Sequence, residues 1–486
     1  MTRVEVAIVG AGFAGLAMAM ALRQAGVESF TLIERAKSVG GTWRDNTYPG
    51  VACDVPSHLY GFANHPNPEW SGLYAEGDEI RAYLERVAEL EGIDPTFDAP
   101  LLSAVWDGSY EIWRLHTGGS HPEVIEASAL VLACGRLTEP AIPEIPGLES
   151  FPGPMFHSSR WDHDVDLTGL RIGVVGTGAS AVQLVPEIAR FAEVTLFQRT
   201  PAWIVPRDAH DYSDSDRAGF AADPAALARL RATLDAEGEA RFASRSGDQD
   251  AAAAARAIAL DHLHTHVRNP TLRAALTPDY AFGCKRVLLS DEFYPAIGSG
   301  AVTLEASALA SVEGSTLIAA NGTRHTVDAL VLATGFAASR QPYAELVRGE
   351  TETLDEHWSA GMTSFGSTAV SGFPNMFVLN GPNASLGHTS SVLMIEEQAT
   401  YVAQALATRT GVLRVDPAAE AAYTAEIDTA AASTPWMTGG CNNWYVDDRS
   451  GRLTLLWPAT VSAFRARLSA ADGSEFLPTP VARGSL

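Results

Sequence analysis

The stretch VEVAIVGAGFAGLAMAMALRQAG, residues 4–26, decides the architecture. VEVAIV is a short, valine-rich apolar run, the composition of a strand buried in a parallel sheet. LAMAMALRQ has helical composition and stops at Gly26. Between them Gly10, Gly12 and Gly15 have G-x-G-x-x-G spacing. The first glycine allows a tight turn, the second lets a pyrophosphate approach the backbone, and the third lets the helix pack on the strand. Phe13 and Ala14 complete the loop, and phosphate sits on the N-terminus of the helix that follows. The next strand, SFTLIER, ends in Glu34 and Arg35, about 20 residues on, where an acid accepts both hydroxyls of a dinucleotide ribose. Strand, loop, helix, strand and acid in register make a βαβ dinucleotide-binding unit. The run is not read as a leader peptide, because it contains Glu5 and has no basic segment beyond Arg3.

A second unit begins at RIGVVGTGASAVQLVPEIARF and ends at EVTLFQR. Its loop residues are Gly176, Thr177, Gly178, Ala179, Ser180 and Ala181, with Gln183 further along the helix. Alanine in third place is a tolerated variant. Arg199, followed by Thr200, stands where an acid would bind the ribose of NAD, and a cation there suits a 2′-phosphate. A solvated strand-end arginine is the alternative. The first site is therefore expected to hold a dinucleotide with a free ribose, and the second NADP. One chain with both suggests a flavoprotein carrying FAD, with NADPH as reductant.

At 486 residues the chain should form two or three domains. The fold class is α/β, with two Rossmann-like dinucleotide-binding domains. We expect a first part of the FAD domain at 1–145, a linker at 146–165, an NADP domain at 166–327, and the rest of the FAD domain with a C-terminal segment at 328–486. ALVLACG (129–135) and ALVLATG (329–335) read as strands that close each region before the chain crosses over. Residues 208–275, rich in Ala, Asp and Arg, read as a helical insertion in the NADP domain. HTSSVLMIEEQATYVAQALA (388–407) reads as a helix with Thr389 or Ser390 as N-cap, and LPTPVARGSL as a loose tail.

Hydrophobic content of 46% and charged content of 19% are ordinary for a globular chain. A net charge of −24 disfavours nucleic acid and anionic membrane as partners. Cys53, Cys134, Cys284 and Cys441 are far apart with no C-x-x-C pair. That spacing argues against a zinc knuckle, a redox dithiol or a disulfide framework, and for a reduced cytoplasmic chain. HLHTH, residues 262–266, reads as a solvated helix face, and no metal is expected.

The segment FPGPMFHSSRWD, residues 151–162, lies between the two glycine loops and fits neither a helix nor a strand pattern. Phe151, Gly153, His157, Trp161 and Asp162 match F-x-G-x-x-x-H-x-x-x-W followed by Pro or Asp. GGTWRDNTYPGVACD (40–54), GCKRVLLSDEFYP (283–295), ALVLATGF and CNNWY (441–445) occur in the same order as the matching motifs of one family. Together they resemble the Baeyer–Villiger monooxygenases of the class B flavoprotein monooxygenases. The resemblance runs from residue 4 to about 465, with an unusually alanine-rich insertion as the main departure.

The resemblance implies FAD, NADPH and O₂ as co-substrate. It implies a C4a-peroxyflavin that attacks a ketone carbonyl, inserting one oxygen to give an ester or lactone. Arg286 then supplies a permanent positive charge to the peroxyanion, and Asp54 pairs with it and aims it. Lys285 joins Arg199 and Thr200 on the 2′-phosphate. Trp444 closes over the nicotinamide half of NADP. Gly41, Thr42, Trp43 and Tyr60 belong to the flavin site. His157 is implied to be structural and conformational rather than a proton-transfer group. The alternatives are a solvated Lys285–Arg286 pair, a loop cap at Asp54 and a core tryptophan at Trp444. GPNASLGHTSSVLMIEEQ suggests a hydrophobic ketone substrate, aryl or alicyclic. An N- or S-oxygenase of the same class, or a flavin reductase, remain alternatives. Oligomeric state is not readable.

Overall fold

In the computed structural model, which describes residues 2–478, strand β1 (Thr2–Val9) lies inside a seven-stranded sheet. It runs parallel to β2 (Phe30–Ile33) and to β5 (Val124–Leu132). The antiparallel pair β3 (Leu101–Asp107) and β4 (Ile112–Thr117) extends the sheet beyond β5. Two late strands return to it: Val347–Arg348 on β3 and Met376–Val378 on β5. The last four residues of β1 are all buried, as a strand covered on both faces requires. The helix Phe13–Gln24 covers one face and is itself buried from Phe13 to Leu22, because helix Ser391–Thr408 packs on its outer side. That double covering explains why its sequence is apolar all round.

The second sheet has five parallel strands, in the order Val302–Glu305, β8 (Glu193–Phe197), β7 (Arg171–Val175), Ala329–Leu332 and β6 (Met155–His157). Two expectations change here. Ala329–Leu332 closes the second sheet, as its reading as a closing strand has it, so the boundary set at 328 moves to just after Leu332. The segment 151–162 is partly regular: Met155–His157 forms the edge strand β6 and Ser158–Arg160 a 3₁₀ turn. Three residues are too few for periodicity to register, and their hydrogen bonds go to a strand more than 170 residues away.

The insertion is helical as read, with helices Asp214–Ala222, Pro224–Ala240, Gln249–His266 and Pro270–Leu276. Ser213, Asp223, Asp248 and Asn269 cap them with side-chain hydrogen bonds. His262 is not on a solvated face. It is buried, its Nε2 lies 2.9 Å from the Ser290 carbonyl oxygen, and its ring packs on Tyr294. Ser390 is the N-cap of Ser391–Thr408 and accepts from the Val392 N–H at 3.2 Å. Of the expected loose tail, Leu477 is tied down by a hydrogen bond of 2.7 Å to the Arg414 carbonyl; residues 479–486 lie outside the described residues.

The expectation that the cysteines form no disulfide is overturned. Cys284 and Cys441, 157 positions apart, form a disulfide, with Cα atoms 6.2 Å apart. Cys53 and Cys134 are free. Sequence spacing reports only on local pairs, whereas the fold brings the loop after the insertion against the C-terminal loop. Among the described residues no helix is long and apolar enough to cross a membrane.

Candidate active site

The two glycine loops adopt the same turn, with φ of 108° at Gly10 and 112° at Gly176. A Cβ at Gly10 would lie 2.5 Å from the Ala133 carbonyl oxygen, and one at Gly15 would lie 1.9 Å from that of Gly10. A Cβ at Gly176 would lie 2.3 Å from the Ala333 carbonyl oxygen. Side chains are therefore excluded where strand, loop and helix touch, while the Ala181 methyl is accommodated as a fully buried contact. In front of Gly178 a Cβ would meet nothing within 4 Å. Neither following helix, Phe13–Gln24 or Ala179–Ile188, has a side-chain cap or an acid in its first turn. Their first N–H groups are left for an external anion, which fits a pyrophosphate at each loop.

Glu34 is held at the first loop by three contacts. It accepts from Ala11 N–H at 2.8 Å and Ala36 N–H at 2.9 Å, and Arg44 lies 3.2 Å away. Arg35 faces outward and pairs with Glu139 at 2.6 Å. At the second loop, Arg199 is exposed at the end of β8, and the Lys285 Nζ lies 5.0 Å from the Tyr280 ring centroid. Burial, and then the charge of Arg199, lower the Lys285 pKa. Two cations that repel each other across one pocket fit a dianionic phosphate. Thr200 accepts from the Thr177 hydroxyl at 3.0 Å, joining the loop to the strand end.

Beside the second loop runs a cavity of about 900 Å³. Thr42, Trp43, Asp54 and Tyr60 line it from the first domain, and Gly176 to Ser180, Gln183, Arg199 and Thr200 from the second. Lys285, Arg286 and Trp444 line it from the two disulfide-linked loops. Gly41 is not part of the lining; its backbone lies against Gly12. The first loop, Glu34 and Arg35 lie outside this cavity's lining, as does the linker set Phe151, Gly153, His157, Trp161 and Asp162.

Arg286 and Asp54 meet across the domain junction. Arg286 donates from Nε at 2.9 Å and from Nη2 at 2.5 Å, both to Asp54 Oδ2. The Asp54 charge outweighs burial and raises the Arg286 pKa further, so the guanidinium stays cationic. The loop carrying Asp54 is stitched to the second domain by Gln183, donating to Ala52 O at 2.9 Å, and by Arg207, donating to Cys53 O at 2.9 Å. Trp444 is 39% exposed at the cavity edge, so it is not a core tryptophan.

His157 is 4% exposed and packs edge-on against Phe336 at 5.7 Å. Its Nδ1 accepts from the Ser159 N–H at 3.1 Å. Burial holds it down to about 4, so it is neutral at ordinary pH. It couples the linker strand to the return of the chain after Leu332 and does not reach the cavity. Gly153 is forced, since a Cβ would lie 2.2 Å from the Asp328 carbonyl oxygen. Trp161 stacks edge-on against Phe156 at 4.9 Å, and Asp162 caps a turn by accepting from the Asp164 N–H.

Residues that the sequence reading did not single out also line the cavity. Tyr48 donates to Gln183 Oε1 at 2.8 Å. Arg136, Tyr280, Asn380 and Tyr445 reach it as well. A polar or basic side chain directly after an apolar strand that closes on glycine, as in ALVLACGR, was the signal available for Arg136.

A family model described as flavin-binding monooxygenase-like matches residues 3–349. A protein from Streptomyces coelicolor named Baeyer-Villiger monooxygenase is 44% identical, over 97% of this chain and 92% of the relative. One of the same name from Pseudomonas aeruginosa is 39% identical, over 97% and 91%. A solved structure of oxidized steroid monooxygenase bound to NADP superposes with a TM-score of 0.85 at 29% identity, covering 98% of this chain and 99% of that one. A structure of OTEMO in complex with FAD and NADP has a TM-score of 0.85 at 25% identity, covering 98% and 99%.

Proposed function

This chain belongs to the flavin-binding monooxygenase-like family, among its Baeyer–Villiger members, and from that premise we propose that it inserts one oxygen atom beside the carbonyl of a hydrophobic ketone, giving an ester or lactone. It is an NADPH-dependent flavoprotein monooxygenase that uses FAD, NADPH and O₂. When bound, the two cofactors supply the hydride and the carrier on which O₂ is activated. The protein's part is positional and electrostatic. The N–H groups ahead of Phe13–Gln24 and Ala179–Ile188 hold the two pyrophosphates, and Glu34 holds a ribose. Arg199 and Lys285 hold the 2′-phosphate that distinguishes NADPH from NADH.

The observation that carries the reading is the Arg286–Asp54 pair on the cavity wall. Attack on a carbonyl carbon puts negative charge on oxygen, and a permanent cation aimed at that point stabilises it. Asp54 keeps the guanidinium charged and fixes its plane. Trp444, at the open edge, covers the site when NADP is bound and keeps water out. Oxygen uptake, peroxide release and product mass over a panel of ketones and sulfides test this. Ester formed from ketones with one NADPH consumed per product is expected; sulfoxide from sulfides with no ester from any ketone would reverse it.

A further inference from the structure

The reacting end of the cavity carries more positive charge than Asp54 answers. Arg136 lines the cavity and is 6% exposed. Its Nη2 donates to Asn380 Oδ1 and its Nη1 to the Leu455 carbonyl at 3.5 Å, both neutral acceptors. Arg245, also buried, donates to the Arg241 carbonyl at 3.0 Å and the Ser244 hydroxyl at 2.9 Å. Neither has a carboxylate partner among the described residues. Both feel the charge of Arg286 and the presence of Tyr445, which is buried beside Arg286. Three guanidinium groups therefore act on this end of the protein, and among the described residues only Arg286 of the three has a carboxylate. Burial brings Arg136 and Arg245 down to about 10, so both remain charged at neutral pH. A buried guanidinium held only by neutral oxygens is costly, and a bound anion relieves it.

The cofactor phosphates have other partners. They fall to the two helix N-termini and to Arg199 with Lys285. Arg136 also lines the cavity, which the ribose acid Glu34 does not. Its anion must come with the remaining occupant of the cavity, the substrate.

We infer that Arg136 anchors an anionic group on the substrate, and that this chain prefers keto acids, ketones that carry a carboxylate away from the reacting carbonyl. The planar guanidinium fork matches a carboxylate bidentately, and its geometry fixes which end of the ketone faces Arg286. This rests on the ketone-oxygenase reading of the same site. The carboxylate takes no part in the reaction. One atom of O₂ enters between the carbonyl carbon and the migrating carbon. The other leaves as water, with the hydride of NADPH and one proton from solvent, and NADP⁺ is released. The product is an ester or lactone that keeps its carboxylate. Because the chain as a whole is at −24, attraction of such a substrate depends on these local cations.

Two measurements on the FAD-loaded enzyme test the assignment. In the first, hexanoate, which has no ketone, is titrated into the oxidised enzyme with NADP⁺ and followed by flavin difference absorbance. Saturable binding is expected in the wild type, weakened at least about tenfold in Arg136→Gln and partly restored in Arg136→Lys. In the second, kcat/KM is compared for 6-oxoheptanoate and its methyl ester. The acid should be preferred by the wild type, and Arg136→Gln should cut the acid-to-ester ratio roughly 100-fold, through KM of the acid. Arg136→Lys should keep part of the preference, which separates lost charge from misfolding. A wild type that favours the methyl ester, or a ratio unmoved by Arg136→Gln, overturns the inference while leaving the oxygenase reading intact. Arg136-dependent hexanoate binding with no ester from either compound upholds the anion site and overturns the oxygenase reading instead.

Discussion

Replacing Arg286 by alanine removes the cavity cation that the Asp54 carboxylate aims. Its Nε and Nη2 both bind Asp54 Oδ2, at 2.9 and 2.5 Å, so its position is set before any substrate arrives. An anion about 4 Å from a unit positive charge gains about 4 kcal/mol at an effective dielectric constant near 20. The Arg286 side chain is still 32% exposed, so solvent screening brings the gain below that figure. Loss of one preorganised stabiliser elsewhere costs about 3 to 4 kcal/mol. At 1.36 kcal/mol per tenfold, Arg286→Ala should slow oxygenation roughly 100- to 1000-fold. The glycine loops and Glu34 are untouched, so the variant should still bind FAD and be reduced by NADPH, releasing hydrogen peroxide in place of product. Asp54→Ala leaves the charge but not its aim, and should lose about tenfold. Ester and peroxide per NADPH consumed, measured in the wild type and both variants, decide it. Ester at near wild-type yield from Arg286→Ala would refute the role given to the pair.

Further outcomes are expected. Reversing the charges of Arg199 and Lys285 should raise KM for NADPH far more than for NADH, and equal effects would remove the 2′-phosphate assignment. His157→Ala should keep FAD but slow both flavin reduction and oxygenation by weakening the coupling of the linker to Phe336, as stopped-flow absorbance would record; native rates in both would reduce the residue to packing. Burial holds both His58 and His157 down to about 4, so between there and about 6.5 the unfolded chain binds more protons than the folded one. Stability should therefore fall as pH drops through that window, and a melting midpoint flat from pH 7 to pH 5 would contradict the burial. The Cys284–Cys441 bridge joins the loop of Lys285 and Arg286 to that of Trp444, so Cys284→Ser should lower the melting midpoint and the product formed per NADPH. Four titratable thiols in the denatured, unreduced protein would exclude the bridge.

The sequence by itself determined the parts of this protein whose physics is local. A tight turn beside a buried strand needs glycine, so the loops at Gly10 and Gly176 were readable as they stand. The placement of Glu34 against the first loop and of Arg199 at the end of its strand was legible in the same way, since each follows directly from a strand end in register with its loop. Alanine-rich composition and capping residues marked the insertion helices. The pairing of Arg286 with Asp54 was also anticipated, although through family motifs and not through spacing, since 232 positions separate the two. Tertiary structure alone decided the rest. The disulfide, the burial of His262 and the edge strand Met155–His157 depend on segments that meet only after both sheets have formed. The burial of Arg136 and Arg245 without a carboxylate partner among the described residues has the same origin. Each of these residues looks like an ordinary surface arginine in the linear chain. Which of them is buried, and which lacks a carboxylate, depends on how the C-terminal loop closes over the junction between the domains.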